Sequence, residues 1–395
     1  VLTLDPLGKI ITCNQAIERI WSCKASELQG RLLSDLLDER GSWILDRIEK
    51  VKEERSSDVF PDAEVALSGV TKSVNLTIMP LVSESDDSKL GSMLMVEDIS
   101  SEKRMKSTMS RYMDPVIAAQ MMDNDTLDLL GGVSAEATIM FTDVRGFTTI
   151  TEEYGAQGTV SFLNEYFSLM VECITAQGGM LDKFIGDAIM ACFGLPVRHD
   201  DDPDRAARAA INMIRTLWEW NAQRRDRGLK IVDMGVGIHT DHIVSGNIGS
   251  PKRMDYTVIG DGVNLASRLE SACKAYSARI LASENTVARF NGTYRMRDID
   301  LVVVKGKTEP VRVYELLDYH DAQTFPAMRD VLGHFEDGIL AYRAARWDEA
   351  ITRFEKCLSL NPGDGLSRTY VERCRILQAT PPHGEWDGVW VLKDK

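Results

Sequence analysis

The stretch Phe141-Thr142-Asp143-Val144-Arg145-Gly146-Phe147-Thr148 decides how this chain is read. An apolar strand, Ala137 to Phe141, runs up to an acid, and the chain then turns through Gly146 into a helix start that carries threonines. A carboxylate at a strand's end beside free helix N–H groups forms a cradle: the acid holds a cation and the amides take phosphate oxygens. Taken alone, Asp143 would serve equally as a helix N-cap, the commoner use of an acid at such a turn.

Two further stretches bear on that choice. Asp182-Lys183-Phe184-Ile185-Gly186-Asp187 puts a second acid at the tip of an apolar hairpin, 44 residues after Asp143, where a tight turn alone would also account for Gly186-Asp187. Two acids on neighbouring strand ends must share something positive, because like charges at close range oppose ionisation. Two Mg²⁺ ions roughly 4 Å apart would satisfy them and would suit phosphoryl chemistry. The third stretch runs from Asp255-Tyr256-Thr257 through Gly260-Asp261-Gly262 to Asn264 and Arg268, four apart on one helix face. An amide beside a guanidinium suits a ribose and a phosphoryl group; a solvated face with Arg268 paired to a nearby Glu is the ordinary alternative.

Working outward, 395 residues exceed one ordinary core and predict two or three domains. With 44% hydrophobic and 27% charged residues and no biased tract, the chain has the composition of a folded soluble protein. Sixty acidic against 46 basic residues give a net charge of −14, which excludes a nucleic-acid binder acting through a broad basic face. Seven scattered cysteines without a CxxC pair indicate neither a disulfide framework nor a zinc site, and point to a reduced, cytoplasmic compartment. No apolar run approaches membrane-spanning length. The first residue, Val1, indicates a fragment, so an upstream anchor stays open.

The three stretches, their order and the Asp143–Asp187 spacing resemble the class III nucleotidyl cyclase catalytic domain, over residues 133–317. The resemblance implies a ferredoxin-like domain that dimerises to form its sites. It implies that Asp143, Asp187 and the Val144 carbonyl bind two Mg²⁺ ions, with Mn²⁺ expected to substitute. The amides of Gly146, Phe147 and Thr148 would meet the β- and γ-phosphates, and Lys305 a phosphate. Asn264 would orient the ribose and Arg268 stabilise the α-phosphate, both reaching in from the other subunit of a homodimer. Lys183 and Thr257 match the family's base-reading pair. An ammonium suits the N1 acceptor of adenine and opposes the N1–H of guanine, so ATP is the expected substrate and cyclic AMP the product. The Thr257 hydroxyl can accept from N6 or rotate to donate, and so discriminates less. Gly235 stands where some mammalian members carry a phosphate-binding Arg.

The flanking segments complete an α+β multidomain expectation. Residues 1–100 resemble a PAS domain by pattern: strands at Val1 to Leu4 and Lys9 to Cys13, a helical stretch through Ile17, Ile20, Trp21 and Leu28 ending near Gly30, and a late hairpin. All six histidines follow residue 198, so that segment holds no haem through histidine; a dimer-setting role is expected, with a small-ligand sensor second. Met105, Met109, Tyr112, Val116 and Ala119 in residues 101–132 are spaced as a helical dimer seam, with a surface helix as the alternative. Residues 318–395 resemble one tetratricopeptide unit plus a capping helix, too little for a solenoid and so expected to pack on something else. A guanylate or dual-specificity cyclase, or a catalytically silent nucleotide-binding regulator, are the alternatives to an adenylate cyclase regulated through its PAS-like segment.

Overall fold

Alternating apolar residues build a five-stranded antiparallel sheet in the first of two units, Val1–Ala119 and Gln120–Lys395, into which the chain divides in this computed structural model. The structure describes residues 1–21, 23–38, 41–67, 70–83, 89–109, 131–250, 252–302, 310–382, 386 and 388. In the first unit, β1 (Leu2–Leu4) and β2 (Ile10–Cys13) form a hairpin. Asp5 Oδ1 holds its turn by accepting from the N–H groups of Leu7 and Lys9, each at 2.9 Å. Then follow α1 (Ala16–Trp21), α2 (Ala25–Leu28), α3 (Trp43–Glu54), β3 (Asp58–Leu67), β4 (Val70–Val82) and β5 (Lys89–Asp98). The sheet order is β2-β1-β5-β4-β3. Its core joins Leu4, Ile10, Ile17, Trp21, Leu28, Ile78 and Leu94, around an apolar cavity of about 30 Å³.

Two features differ from the sequence expectation. The single helical stretch through Leu28 is two helices, because Glu18 Oε1 turns back to accept from the Ala25 N–H at 2.8 Å and so serves the free start of a new helix. The strand β3 was not among those expected; its Pro61 is tolerated because β3 is an edge strand whose register shifts between Phe60 and Ala63, with Asp62 at φ 53°. On α4 (Ser100–Met109), Met105 is exposed. The rest of the expected seam, Tyr112 to Ala119, lies outside the described residues.

The second unit is built on a larger sheet. Its elements are β6 (Gly131–Val144), α5 (Phe147–Thr175), β7 (Met180–Ile185), β8 (Ala188–Phe193), α6 (Asp202–Asp226), β9 (Met234–Ser250) and β10 (Arg253–Ile259). They continue with α7 (Asp261–Ala275), β11 (Ile280–Ser283), α8 (Glu284–Val287), β12 (Met296–Val302) and β13 (Val311–Leu316). The order is β12-β13-β11-β9-β6-β8-β7, with β10 on β9. Successive residues of β11 serve opposite faces: Ile280 and Ala282 join the core under α5 and α6, Leu281 the one under α7.

The 3.6-residue spacing places Val160, Leu163, Phe167, Met170, Val171 and Ile174 on one helix face, and on α5 Met170 and Ile174 are buried while Leu163 and Phe167 pack against the core. The buried line is Ile150, Phe162, Tyr166, Met170 and Ile174, and Val160 is exposed. A break at Gly155 (φ 64°, ψ 179°) separates two helical pieces. The 3.6-residue spacing of Ala207, Ala210, Ile211, Ile214 and Leu217 predicts one apolar helix face, and on α6 all five are buried. The apolar run Ile231–Ile238 predicts a strand, which starts at Met234 and continues to Ser250.

The tail, α9 (Met328–Arg343), α10 (Trp347–Leu360) and α11 (Gly365–Ala379), packs on the catalytic segment and shares a core with α7, β11 and β13. Buried ion pairs cross this junction. Arg297 of β12 meets Glu315 at 2.7 Å and Asp364 at 2.8 Å, and Arg373 of α11 meets Asp300 at 2.9 Å. Trp386 donates its indole N–H to the Tyr342 carbonyl at 3.1 Å and packs edge-on against Trp347; Trp390 lies outside the described residues.

Candidate active site

The site forms where β6 ends. Gly146 takes a left-handed φ of 70° and lets the chain leave the strand and enter α5 at once. No side chain caps this helix and no acid stands in its first turn. Among the described residues the N–H groups of Gly146, Phe147 and Thr148 have no acceptor, while Thr149 and Ile150 bond back to the Gly146 carbonyl. Three amides at a positive helix end therefore face outward, as an anion cradle requires.

Asp143 and Asp187 come together beside it. The β7–β8 hairpin closes on Gly186-Asp187, with Ile185 opposite Ala188 and Gly186 at φ 66°. Asp187 Oδ2 accepts from the Val144 N–H at 3.3 Å. Burial, and next the charge of Asp187, push the Asp143 carboxyl up to about 6. The two hard carboxylates lie close together and, with the neutral oxygen of the adjacent main-chain carbonyl, make a donor set that fits Mg²⁺ or Mn²⁺. Among the described residues no cluster of three or more His, Cys, Asp or Glu is disposed to hold a metal. A cation here would therefore depend on these two acids, the carbonyl and oxygens of the substrate.

A third acid was missed by the sequence reading. Burial, and next the charge of Asp143, push the Glu270 carboxyl up to about 7, with Arg145 pulling it back. Glu270 arrives because Gly235 and Gly237 of β9 let α7 lie close: a Cβ on Gly237 would sit 2.3 Å from the Glu270 nitrogen, and one on Gly235 2.6 Å from Glu270 Oε1. Gly235 is therefore more than a missing Arg; its space is filled by a carboxylate. The alternating glycines before His239 were the available signal. Arg145 is itself held from behind, 3.2 Å from Asp233 and bonded to the Ala278 carbonyl, and Asp233 is fixed by Arg279 at 2.8 Å.

Lys183 and Thr257 are brought together on a shared neighbour, Asp182. On α7, Asn264 is exposed and Arg268 half-buried, while Leu265 and Leu269 turn inward. Among the described residues, no ion pair joins Arg268 to a carboxylate. Lys305 lies outside the described residues, and its expected phosphate contact has no structural counterpart.

Comparisons with known proteins bear on the same segment. Residues 133–318 match the family model for the adenylate and guanylate cyclase catalytic domain. The chain is 34% identical over 282 residues to the terminal-differentiation specific adenylate cyclase of Dictyostelium discoideum, covering 68% of this chain and 13% of that protein. It is 38% identical over 208 residues to an adenylate cyclase of Anabaena cylindrica, covering 51% of this chain and 40% of that one. A bacterial light-regulated adenylyl cyclase has a similar fold, with TM-score 0.50 at 23% identity, over 58% of this chain and 66% of that one. The chain contains a class III adenylate/guanylate cyclase catalytic domain. It spans less than half the length of the two curated relatives. Among the described residues no helix is long and apolar enough to cross a membrane.

Proposed function

We propose that this chain is an adenylate cyclase, converting ATP to 3′,5′-cyclic AMP and pyrophosphate at two equivalent sites of a homodimer. The observation that carries it is the meeting of Asp143 and Asp187 at an uncapped helix start, with Lys183 of β7 and Thr257 of β10 grouped beside Asp182. When bound at Asp143, Asp187 and the Val144 carbonyl, Mg²⁺ would lower the pKa of the ribose 3′-hydroxyl and offset triphosphate charge. The chain's own groups do the rest. The amides of Gly146, Phe147 and Thr148 bind the β- and γ-phosphates, and Lys183 and Thr257 read the base. Asn264 orients the ribose, and Arg268 stabilises charge on the α-phosphate during in-line attack.

A shared site follows from the freedom of Asn264 and Arg268, which serve no intrachain partner among the described residues. Exposed Val244 and Ile259, directly opposite each other in the β9–β10 register, offer an apolar patch for the second subunit. The first unit keeps the PAS-like order of two strands, short helices and a late hairpin. Its cavity of about 30 Å³ leaves space for little more than a water, which favours a structural, dimer-setting role over a ligand sensor. The tetratricopeptide-like tail acts as a brace on the catalytic segment through the buried Arg297 and Arg373 pairs.

Incubating the purified chain with ATP or GTP, each with Mg²⁺ and Mn²⁺, tests the reading. Cyclic AMP from ATP is expected. Cyclic GMP as main product would keep the fold and refute the base assignment, and nucleotide binding without any product would favour the silent regulator.

A further inference from the structure

Asp182 occupies an irregular place in β7. Leu181 lies opposite Ala191 and Lys183 opposite Met190, so Asp182 is the extra, unpaired residue of a β-bulge. Bulges re-aim the side chains beside them. Here the Asp182 side chain is wholly buried, at 0% exposure, an unusual place for an acid. Its Oδ2 accepts the Thr257 hydroxyl at 3.0 Å and lies 3.5 Å from Lys183 Nζ. Its Oδ1 is buried with no hydrogen-bond partner. Burial foremost pushes this carboxyl up, and the Thr257 hydroxyl and Lys183 ammonium pull it back.

A carboxylate accepts and cannot donate, whereas a threonine hydroxyl has one hydrogen and two lone pairs. The hydrogen of Thr257 is committed to Asp182, so toward a ligand Thr257 can only accept. Lys183, held by the same oxygen, can only donate. We propose that Asp182 is a specificity-positioning residue, which orients the Thr257 hydroxyl and the Lys183 ammonium into one acceptor and one donor matched to adenine. Adenine offers an N1 acceptor and an N6 donor to this pair; guanine offers an N1–H donor and an O6 acceptor, a mismatch at both points. The inference rests on the adenylate cyclase reading and removes the ambiguity of a freely rotating threonine.

The test is selectivity, not activity alone. Asp182→Asn keeps the shape but gives Thr257 an amide donor, which frees its hydroxyl to donate to O6. The kcat/KM ratio for ATP over GTP should fall by about tenfold or more, the scale of one mispaired buried polar contact. Asp182→Ser should move it the same way, and melting temperature reports folding of each variant. Adding Asp182→Asn to Thr257→Val should change the ratio by clearly less than Asp182→Asn does alone, because part of the acid's effect runs through that hydroxyl and only the Lys183 part remains. Equal losses for both nucleotides would overturn the proposal, as would full additivity in the double variant. ATP and GTP displacement of a fluorescent nucleotide gives the same ratio as a binding quantity. If the wild-type chain forms no cyclic nucleotide, the enzyme reading fails while the displacement ratio still decides the role of Asp182.

Discussion

The backbone N–H of Val144 donates to Asp187 Oδ2 at 3.3 Å, tying the end of β6 to the turn of the β7–β8 hairpin. The second acid is thus oriented by the main chain that carries the first. Their repulsion appears in Asp143, whose carboxyl sits at about 6 because it is buried and because Asp187 is beside it. The chain stores this unfavourable charge for a cation to relieve.

Asp187→Asn keeps an oxygen for the Val144 N–H and removes the charge. Folding by circular dichroism should be retained, while Mn²⁺ affinity and turnover fall. The loss should exceed the roughly 10- to 100-fold typical of residues one layer removed from a metal. Undiminished Mn²⁺-dependent turnover would exclude Asp187 as a ligand.

Mixing Asp143→Ala and Arg268→Ala proteins should restore part of the activity, since a hybrid dimer holds one site with both defects and one with neither. Each variant alone should be inactive or nearly so. No recovery, with subunit exchange verified by labelled protomers, would contradict sites shared between subunits.

The pH dependence of stability has a definite sign. Glu270 is raised to about 7 in the folded chain, first by burial and next by Asp143, so the folded state holds its proton more tightly than the unfolded state does. Its stabilising contribution is complete below the ordinary carboxylate range and is lost as pH rises through about 7. Asp143 acts in the same direction up to about 6. The metal-free protein should therefore melt lower at about pH 8 than at about pH 5, and Glu270→Gln should reduce that difference and melt higher at the alkaline end. Parallel melting curves for variant and wild type would show that Glu270 is not the group responsible.

At the tail junction, Arg297→Met would strand Glu315 and Asp364, both almost fully buried, as two uncompensated acids. The expected cost is about 3–5 kcal/mol in chemical denaturation. Because α11 shares a core with α7 and β13, the catalytic segment should unfold in the same transition. A separate tail transition that leaves turnover intact would show that the brace is dispensable.

Local patterns carried much of this architecture. The β7–β8 hairpin, the entry into α5 and the inward face of α6 follow from period-2 and period-3.6 spacing and from Gly at positive φ, all set by neighbours in sequence. The same reading failed where a distant partner decided. Phe162 and Tyr166 joined the inner line of α5 while Val160 stayed exposed, and β3 accepted Pro61 because it became an edge.

The sequence by itself determined the candidate inventory: two acids, a glycine turn with bare amides, an Asn–Arg pair four residues apart, and a lysine and threonine proposed to read the base. Spacing along one chain suffices for these, because each is a local device on one strand end, turn or helix face. Only the tertiary structure decided how they are coupled. The third acid, Glu270, depends on glycines of another strand allowing a helix to approach. The link between Asp182 and Thr257 spans 75 residues and exists because a bulge turns a buried carboxylate toward β10. Packing sets both, and long-range packing has no periodicity that a single sequence can display.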